Sequence, residues 1–246
     1  MIFVSYAQNF EDVMLWRALS TVENGFYIDV GANHPILDSV TKAFYEQGWS
    51  GTNIEPLQQH IEELQQDRPR DINLQIALSN HTGEAEIIVP ELRGLASLDH
   101  EMKQRYADES YQSQTVTVHV TTLEAIWQEH VGDRAVHFLK IDVEGHEKQV
   151  LEGLDLTQHR PWIMVIESTL PNSQVENHET WLPLLLNNDY QEVYFDGLNR
   201  YFCAKEQVAL KDFFKTPPNV FDGFIRYTEF KAINLLNTLK QNLESW

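Results

Sequence analysis

Short β-prone runs and stretches of helical spacing take turns along this chain. Phe26 to Val30, Thr52 to Ile54, Ile72 to Leu78, His137 to Ile141 and Trp162 to Glu167 read as strands, the unbroken apolar runs among them as buried ones. Phe10, Val13, Met14 and Leu15 fall at helical spacing, with Glu11 and Asp12 in a first turn where the helix dipole favours acids, so a helix is predicted from about Asn9 to Leu19. Asp38 to Gly48, Leu57 to Gln66, Thr122 to His130, Lys148 to Leu154 and the segment around Trp181, Leu184, Leu185 and Leu186 predict further helices. Glu192 to Phe195 and Tyr201 to Ala204 flank a turn and predict an antiparallel pair at the sheet edge. Asp196 and Asn199 are common turn residues, which Arg200 is not. Strands alternating with helices predict a doubly wound α/β domain.

The pattern also divides the chain. Its 246 residues suit one large domain, 1–246. Residues 1–22 are expected to form a helical lid, because Tyr6, Gln8, Glu11 and Asp12 make a denser polar cluster than packing needs. Residues 84–121 read as an insertion with extra strands, Ala85 to Val89 and Thr115 to Val120, around an irregular loop from Pro90 to Gln114. After the break at Thr216-Pro217-Pro218-Asn219, residues 216–246 form a helical extension carrying Leu235, Leu236 and Leu239. That helix can pack on the domain or against a partner, which admits a homo-oligomer.

Chemistry concentrates where strands end. The first strand hands over at Asp29-Val30-Gly31-Ala32-Asn33, and a glycine there lets the backbone turn sharply towards a ligand. The second ends on Glu55-Pro56, an acid able to accept hydrogen bonds from both hydroxyls of a ribose. An adenosine site follows from that pairing. Since His34-Pro35 stands where a second glycine would let a pyrophosphate approach, a donor without phosphates such as S-adenosylmethionine fits better than NAD. The strand Phe138-Leu139-Lys140-Ile141 runs into Asp142, Glu144 and His146, a burst of ionisable groups at a strand's carboxyl end. Glu147 and Lys148 read as an exposed first helical turn.

Charge narrows the partners. A formal net charge of −19 disfavours any broad nucleic-acid surface and binding to anionic membranes. The single cysteine, Cys203, rules out an internal disulfide and points to a reducing compartment. No run approaches the length of a membrane span and the start lacks a secretory signal, so a cytoplasmic location is expected.

Four stretches together resemble the FkbM family of S-adenosylmethionine-dependent methyltransferases: Ser5-Tyr6-Ala7-Gln8-Asn9-Phe10-Glu11-Asp12, Tyr27-Ile28-Asp29-Val30-Gly31-Ala32-Asn33, Asn53-Ile54-Glu55-Pro56, and Leu139-Lys140-Ile141-Asp142-Val143-Glu144-Gly145-His146-Glu147. Tyr194 to Arg200 is similar to bacterial members found with polysaccharide biosynthesis. The resemblance implies a Rossmann-like class I methyltransferase fold, with a mostly parallel seven-stranded sheet, helices on both faces and an antiparallel edge strand. It implies O-methylation, of sugar hydroxyls or secondary metabolites. Asp29, Gly31 and Asn33 match the turn that holds the cofactor's methionine part, and Glu55 the ribose-binding acid. Gln8, Ala32, Pro56 and Ala77 complete the expected cofactor set. Asp142, Glu144 and His146 are the candidate catalytic residues, with His146 best suited as a base near neutral pH and Asp142 or Glu144 as orienting group or direct base. Their carboxylates also suit an oxygen-liganded Mg²⁺, with Glu167 or Asp196 as further ligands. The expected acceptor is a sugar or glycan. The rival readings are a non-catalytic nucleotide- or glycan-binding domain and a nicotinamide oxidoreductase.

Overall fold

The computed structural model describes residues 2–91, 93–99, 105–106 and 111–244. Strands β1 (Phe3–Ser5), β2 (Phe26–Val30), β3 (Ser50–Ile54), β4 (Ile72–Leu74), β5 (Ala77–Leu78) and β6 (Gly83–Pro90) belong to the first part of the chain. Strands β7 (Ser113–Thr121), β8 (Phe138–Ile141), β9 (Ile163–Glu167), β10 (Tyr190–Phe195), β11 (Asn199–Ala204) and β12 (Phe224–Arg226) follow. The α-helices among the described residues are α1 (Glu11–Leu19), α2 (Lys42–Glu46), α3 (Gln58–Asp67), α4 (Leu123–Ile126), α5 (Glu147–Glu152), α6 (Leu182–Leu186) and α7 (Tyr227–Glu244).

The central sheet has the order β10-β11-β9-β8-β2-β3-β4. From β9 to β4 every neighbouring pair is parallel, while β11 runs antiparallel to both β9 and β10. The antiparallel pair β10–β11 lies at the sheet edge as expected, but β11, antiparallel to β9, is its inner member and not the edge strand that the resemblance implied. Burial explains which arm of the hairpin goes inside. Tyr201, Phe202, Cys203 and Ala204 of β11 are all buried, whereas Gln191 of β10 is exposed and most of that strand is half-buried. The strand expected across Ile72 to Leu78 also divides. Its first half joins the central sheet as β4, and Ala77–Leu78 pairs with β7 in a separate sheet of order β5-β7-β6. A parallel pair, β1 with β12, ties the two ends of the chain together and was not foreseen.

Side-chain alternation on the strands feeds two apolar layers. Ile28, Val30, Leu139, Ile141, Met164 and Ile166 pack on one face with residues of α4, α5 and α6. Tyr27, Phe138, Ile163 and Val165 pack on the other with Met14, Leu15 and Phe44 from α1 and α2. Within residues 1–22, Val13, Met14, Leu15, Ala18 and Leu19 of α1 are buried. Trp49 and Tyr201 are core residues of the same layer and are not available to stack on a ligand. Among the described residues no helix is long and apolar enough to cross a membrane.

A row of polar residues crosses this second face. Parallel register aligns Lys140 with Asp29, Asp29 with Asn53, and Asn53 with Asn73. Lys140, Asp29 and Asn53 are buried, one layer below the carboxyl ends of the strands. Asn53 donates to Asn73 and Asp71, and Asp71 also accepts from Tyr27 Oη at 2.6 Å.

The sheet reverses direction of growth at β2, where β8 lies on one side and β3 on the other, and ligands of open α/β sheets bind at such a point. There Gly31 takes φ +79°, and a Cβ on it would lie 1.8 Å from the Asp142 carbonyl oxygen. A left-handed conformation and a backbone contact that close both require glycine. Gly31→Ala is expected to lower the unfolding free energy by on the order of 3 kcal/mol, read from urea midpoints. A loss below about 1 kcal/mol would mean the turn relaxes without cost.

Candidate active site

A cavity of about 430 Å³ opens at this reversal point. Gln8, Gly31, Ala32, Asn33, Glu55, Pro56, Ala77, Asp142, Glu144 and His146 all line it, so ten of the eleven residues singled out from the sequence converge on one space. Asp29 does not line it. It lies beneath, where one carboxylate oxygen accepts from Thr41 Oγ1 at 2.8 Å and the other pairs with Lys140 Nζ at 3.6 Å.

The turn after β2 uses up its own donors. Gly31 and Ala32 N–H donate to the Ile54 carbonyl, and Asn33 N–H donates to Glu55 Oε2 at 3.0 Å. Ile36 and Leu37 N–H both donate to His34 Nδ1. The imidazole thus closes the turn at the position where the sequence departs from the glycine pattern. Arg68, fully buried, holds the next segment through Thr41 Oγ1, the Pro35 carbonyl and Ser39 Oγ. The N–H groups of Gly31, Ala32, Asn33, Ile36 and Leu37 are thus turned inward and not free to cradle a pyrophosphate. Glu55 accepts a second bond from Leu57 N–H, which fixes it between the turn and the start of α3.

On the other side, residues 142–146 wind around Glu147. Its Oε1 accepts from Val143 and Gly145 N–H at 3.2 and 3.1 Å, and the residue is 1% exposed, so the expected exposed helical turn is instead a buried support. Ser97 Oγ donates to the Glu144 carbonyl at 2.6 Å and pins the loop from the insertion side. Asp142, Glu144 and Glu167 each bring one carboxylate oxygen within 4.8 Å of the others. Burial, then the charges of Asp142 and Glu147, pushes Glu144 up to about 9. Burial and the same cluster of acids push Glu167 well above the carboxylate range. Burial raises Glu147 to about 7. Lys140 Nζ is the cation beside them, 3.2 Å from Asp142 and 3.2 Å from the Gly31 carbonyl. Burial works against its charge, but the carboxylates of Asp142 and Asp29 more than offset it and push its pKa up.

His146 fares differently from expectation. Burial pushes its imidazole down to about 4, and Nε2 hydrogen-bonds with Ser79 Oγ at 3.0 Å. It is neutral at pH 7 and a weak base. Asp196 is not part of the carboxylate cluster. It accepts from Leu198 and Asn199 N–H at 2.8 and 2.7 Å and shapes its own hairpin turn, and Arg200 pairs with Glu176 and Glu192. Several wall residues escaped the sequence reading, namely Leu37, Arg93, Leu95, Lys140, Thr169, Asn172 and Ser173. Lys140 had a signal, a lysine inside an otherwise apolar strand. Arg93 had none, since its role is a tertiary clamp: Nε donates to Asn33 Oδ1 at 2.7 Å, and Nη2 pairs with Glu63.

The strand order and the position of the cavity define a doubly wound α/β domain with its ligand site at the sheet's reversal point. The sequence matches the methyltransferase FkbM domain over residues 29–192, two thirds of the chain, and the chain belongs to that family of methyltransferases. No curated protein matches it in sequence. Among solved structures, a TehB-like SAM-dependent methyltransferase from Corynebacterium glutamicum aligns over 79% of this chain and 88% of its own, at 9% identity and a TM-score of 0.44.

The cavity wall also carries a buried acid from α1. Glu11 accepts from Asn9 N–H and Asn199 Nδ2, and burial followed by the Asp196 charge raises it to about 8. The native state therefore keeps a proton that the unfolded chain gives up above about pH 4.5. Stability is expected to fall as pH rises from about 5 to about 8, more steeply in the wild type than in Glu11→Gln, by urea unfolding across that range. Equal slopes would remove Glu11 from this linkage.

Proposed function

We propose that the chain transfers the methyl group of S-adenosylmethionine to a hydroxyl of a sugar, in a polysaccharide or glycolipid precursor. The observation that carries this reading is the convergence of Asp142, Glu144 and Glu167 on the cavity beside the glycine turn. The acidic side chains of Asp142 and Glu55 on this wall favour the cationic sulfonium over a pyrophosphate, and so this donor over NAD. Gly31, Ala32 and Asn33 take the methionine part, Glu55 the ribose hydroxyls, and Gln8, Pro56 and Ala77 the remaining wall of the donor site. Thr169, Asn172 and Ser173 offer uncharged polar groups to a neutral, hydroxylated acceptor. The resemblance of Tyr194 to Arg200 to members found with polysaccharide biosynthesis supports a glycan as that acceptor.

In the reaction the acceptor oxygen attacks the methyl carbon in line with the departing sulfur. The C–S bond breaks, the thioether leaves neutral, and the hydroxyl proton passes to a carboxylate of the cluster. Alignment of oxygen, methyl and sulfur supplies most of the acceleration, and removal of the proton adds about 10²–10⁴-fold. With its imidazole near pKa 4, His146 is assigned to positioning the loop through Ser79, and the proton goes to Asp142, since Glu144, raised to about 9, already holds one near neutral pH.

Calorimetry is expected to find binding of S-adenosylmethionine and none of NAD, with Glu55→Ala weakening the donor by about tenfold or more. Asp142→Asn is expected to keep donor affinity and lower kcat by about 10²-fold or more, and Glu144→Gln, which replaces a group already protonated, to change kcat less, measured by methyl transfer to glycan acceptors. Donor binding with no transfer to any hydroxylated acceptor would move the chain to the non-catalytic binding class.

The close approach of three carboxylates favours a second reading of their role, that they hold Mg²⁺, which would acidify the bound hydroxyl. A chelator then abolishes transfer and added Mg²⁺ restores it. Activity indifferent to chelation assigns the proton to a carboxylate alone.

A further inference from the structure

The terminal helix α7 (Tyr227–Glu244) leaves the body after its first turn. Tyr227 stacks on Tyr6 with ring centroids 4.9 Å apart, and from Thr228 to Leu243 every residue is exposed. At 100° per residue, Ala232, Leu235, Leu236, Leu239 and Leu243 share one side, with Ile233 at its margin. Tyr227, the anchoring residue, falls on the opposite side, so the leucine stripe points away from the domain. Leu236, Leu239 and Leu243 are 57%, 50% and 78% exposed. An isolated helix about 27 Å long is marginal in water, and its stability comes from covering its apolar side.

What covers it follows from pattern and charge. Ala232, Leu236, Leu239 and Leu243 are spaced four, three and four apart, the repeat of a seam that packs against a copy of itself. The helix carries Glu229, Lys231, Lys240 and Glu244, two acids and two bases, so the whole net charge of −19 resides on the rest of the chain. Two copies approaching through any other face meet as like charges, whereas along α7 they meet neutral to neutral. The polar side of the helix is built mostly of Asn234, Asn237, Thr238, Gln241 and Asn242, with Lys231 alone among the lysines on it, too little positive charge for an anionic bilayer. The helix also lies outside residues 29–192, the span that matches the family.

We infer that α7 is a self-association helix, and that two copies of this chain pair through the Ala232–Leu236–Leu239–Leu243 seam to form a homodimer. Light scattering on the full chain, from about 1 to about 100 μM, is expected to give twice the chain mass of 28.6 kDa at the upper end. Leu236→Glu combined with Leu239→Glu is expected to return the 28.6 kDa species throughout, with unchanged donor binding and near-ultraviolet circular dichroism of the domain. Asn234→Glu combined with Gln241→Glu, on the opposite side, leaves the dimer intact and controls for the added charge. A wild-type chain that stays monomeric at the highest concentration overturns the inference, as does a dimer that survives the leucine substitutions. Recruitment of a wild-type monomer to anionic vesicles overturns it too, and assigns the stripe to a lipid surface.

Discussion

A single buried ammonium group holds the site together. Lys140 Nζ reaches the Gly31 carbonyl at the end of β2, Asp142 at the end of β8, and Asp29 one layer below. A buried lysine is tolerable when its charge is matched, and here two carboxylates match it. The same contacts bring the glycine turn and the carboxylate loop to a common height, with the Asp142 carbonyl lodged where a Cβ of residue 31 would be. The glycine turn and the carboxylate loop are thus set relative to each other by one ion-paired cluster rather than by either loop alone.

Around that centre the structure spends its polar groups on support. Glu147, Arg68, His34 and Glu55 each satisfy backbone donors or acceptors of loops that would otherwise be free to move. The insertion adds two clamps from one side, Arg93 on Asn33 and Ser97 on Glu144. Rigid walls of this kind suit a reaction whose main demand is alignment. Asp142, Glu144 and Glu167 crowd together, and burial, then the neighbouring acids, raises Glu144 and Glu167.

Much of this was legible before folding because it is local. Asp29 to Asn33, Glu55 and the Asp142–His146 segment each follow a strand, and strand ends in one parallel sheet converge by topology. Long-range pairing was not legible. The β1–β12 ladder joins residues more than two hundred positions apart, and neither strand has a pattern that names its partner. The place of β11 inside the sheet was missed because a hairpin looks the same from either arm, and burial against β9 chooses between them.

Side-chain roles divide along the same line. The sequence by itself determined the alternation of strands and helices, the glycine that the first turn requires, and the acids placed at strand ends, because each depends on residues a few positions apart. Tertiary structure alone decided how deeply each of those groups is buried and what it hydrogen-bonds. Glu147 looked like solvent-facing charge and His146 like the best base, but burial removed water from both. One became a scaffold for its loop and the other a neutral imidazole near pKa 4. Desolvation depends on what packs from elsewhere in the chain, and no local pattern records it.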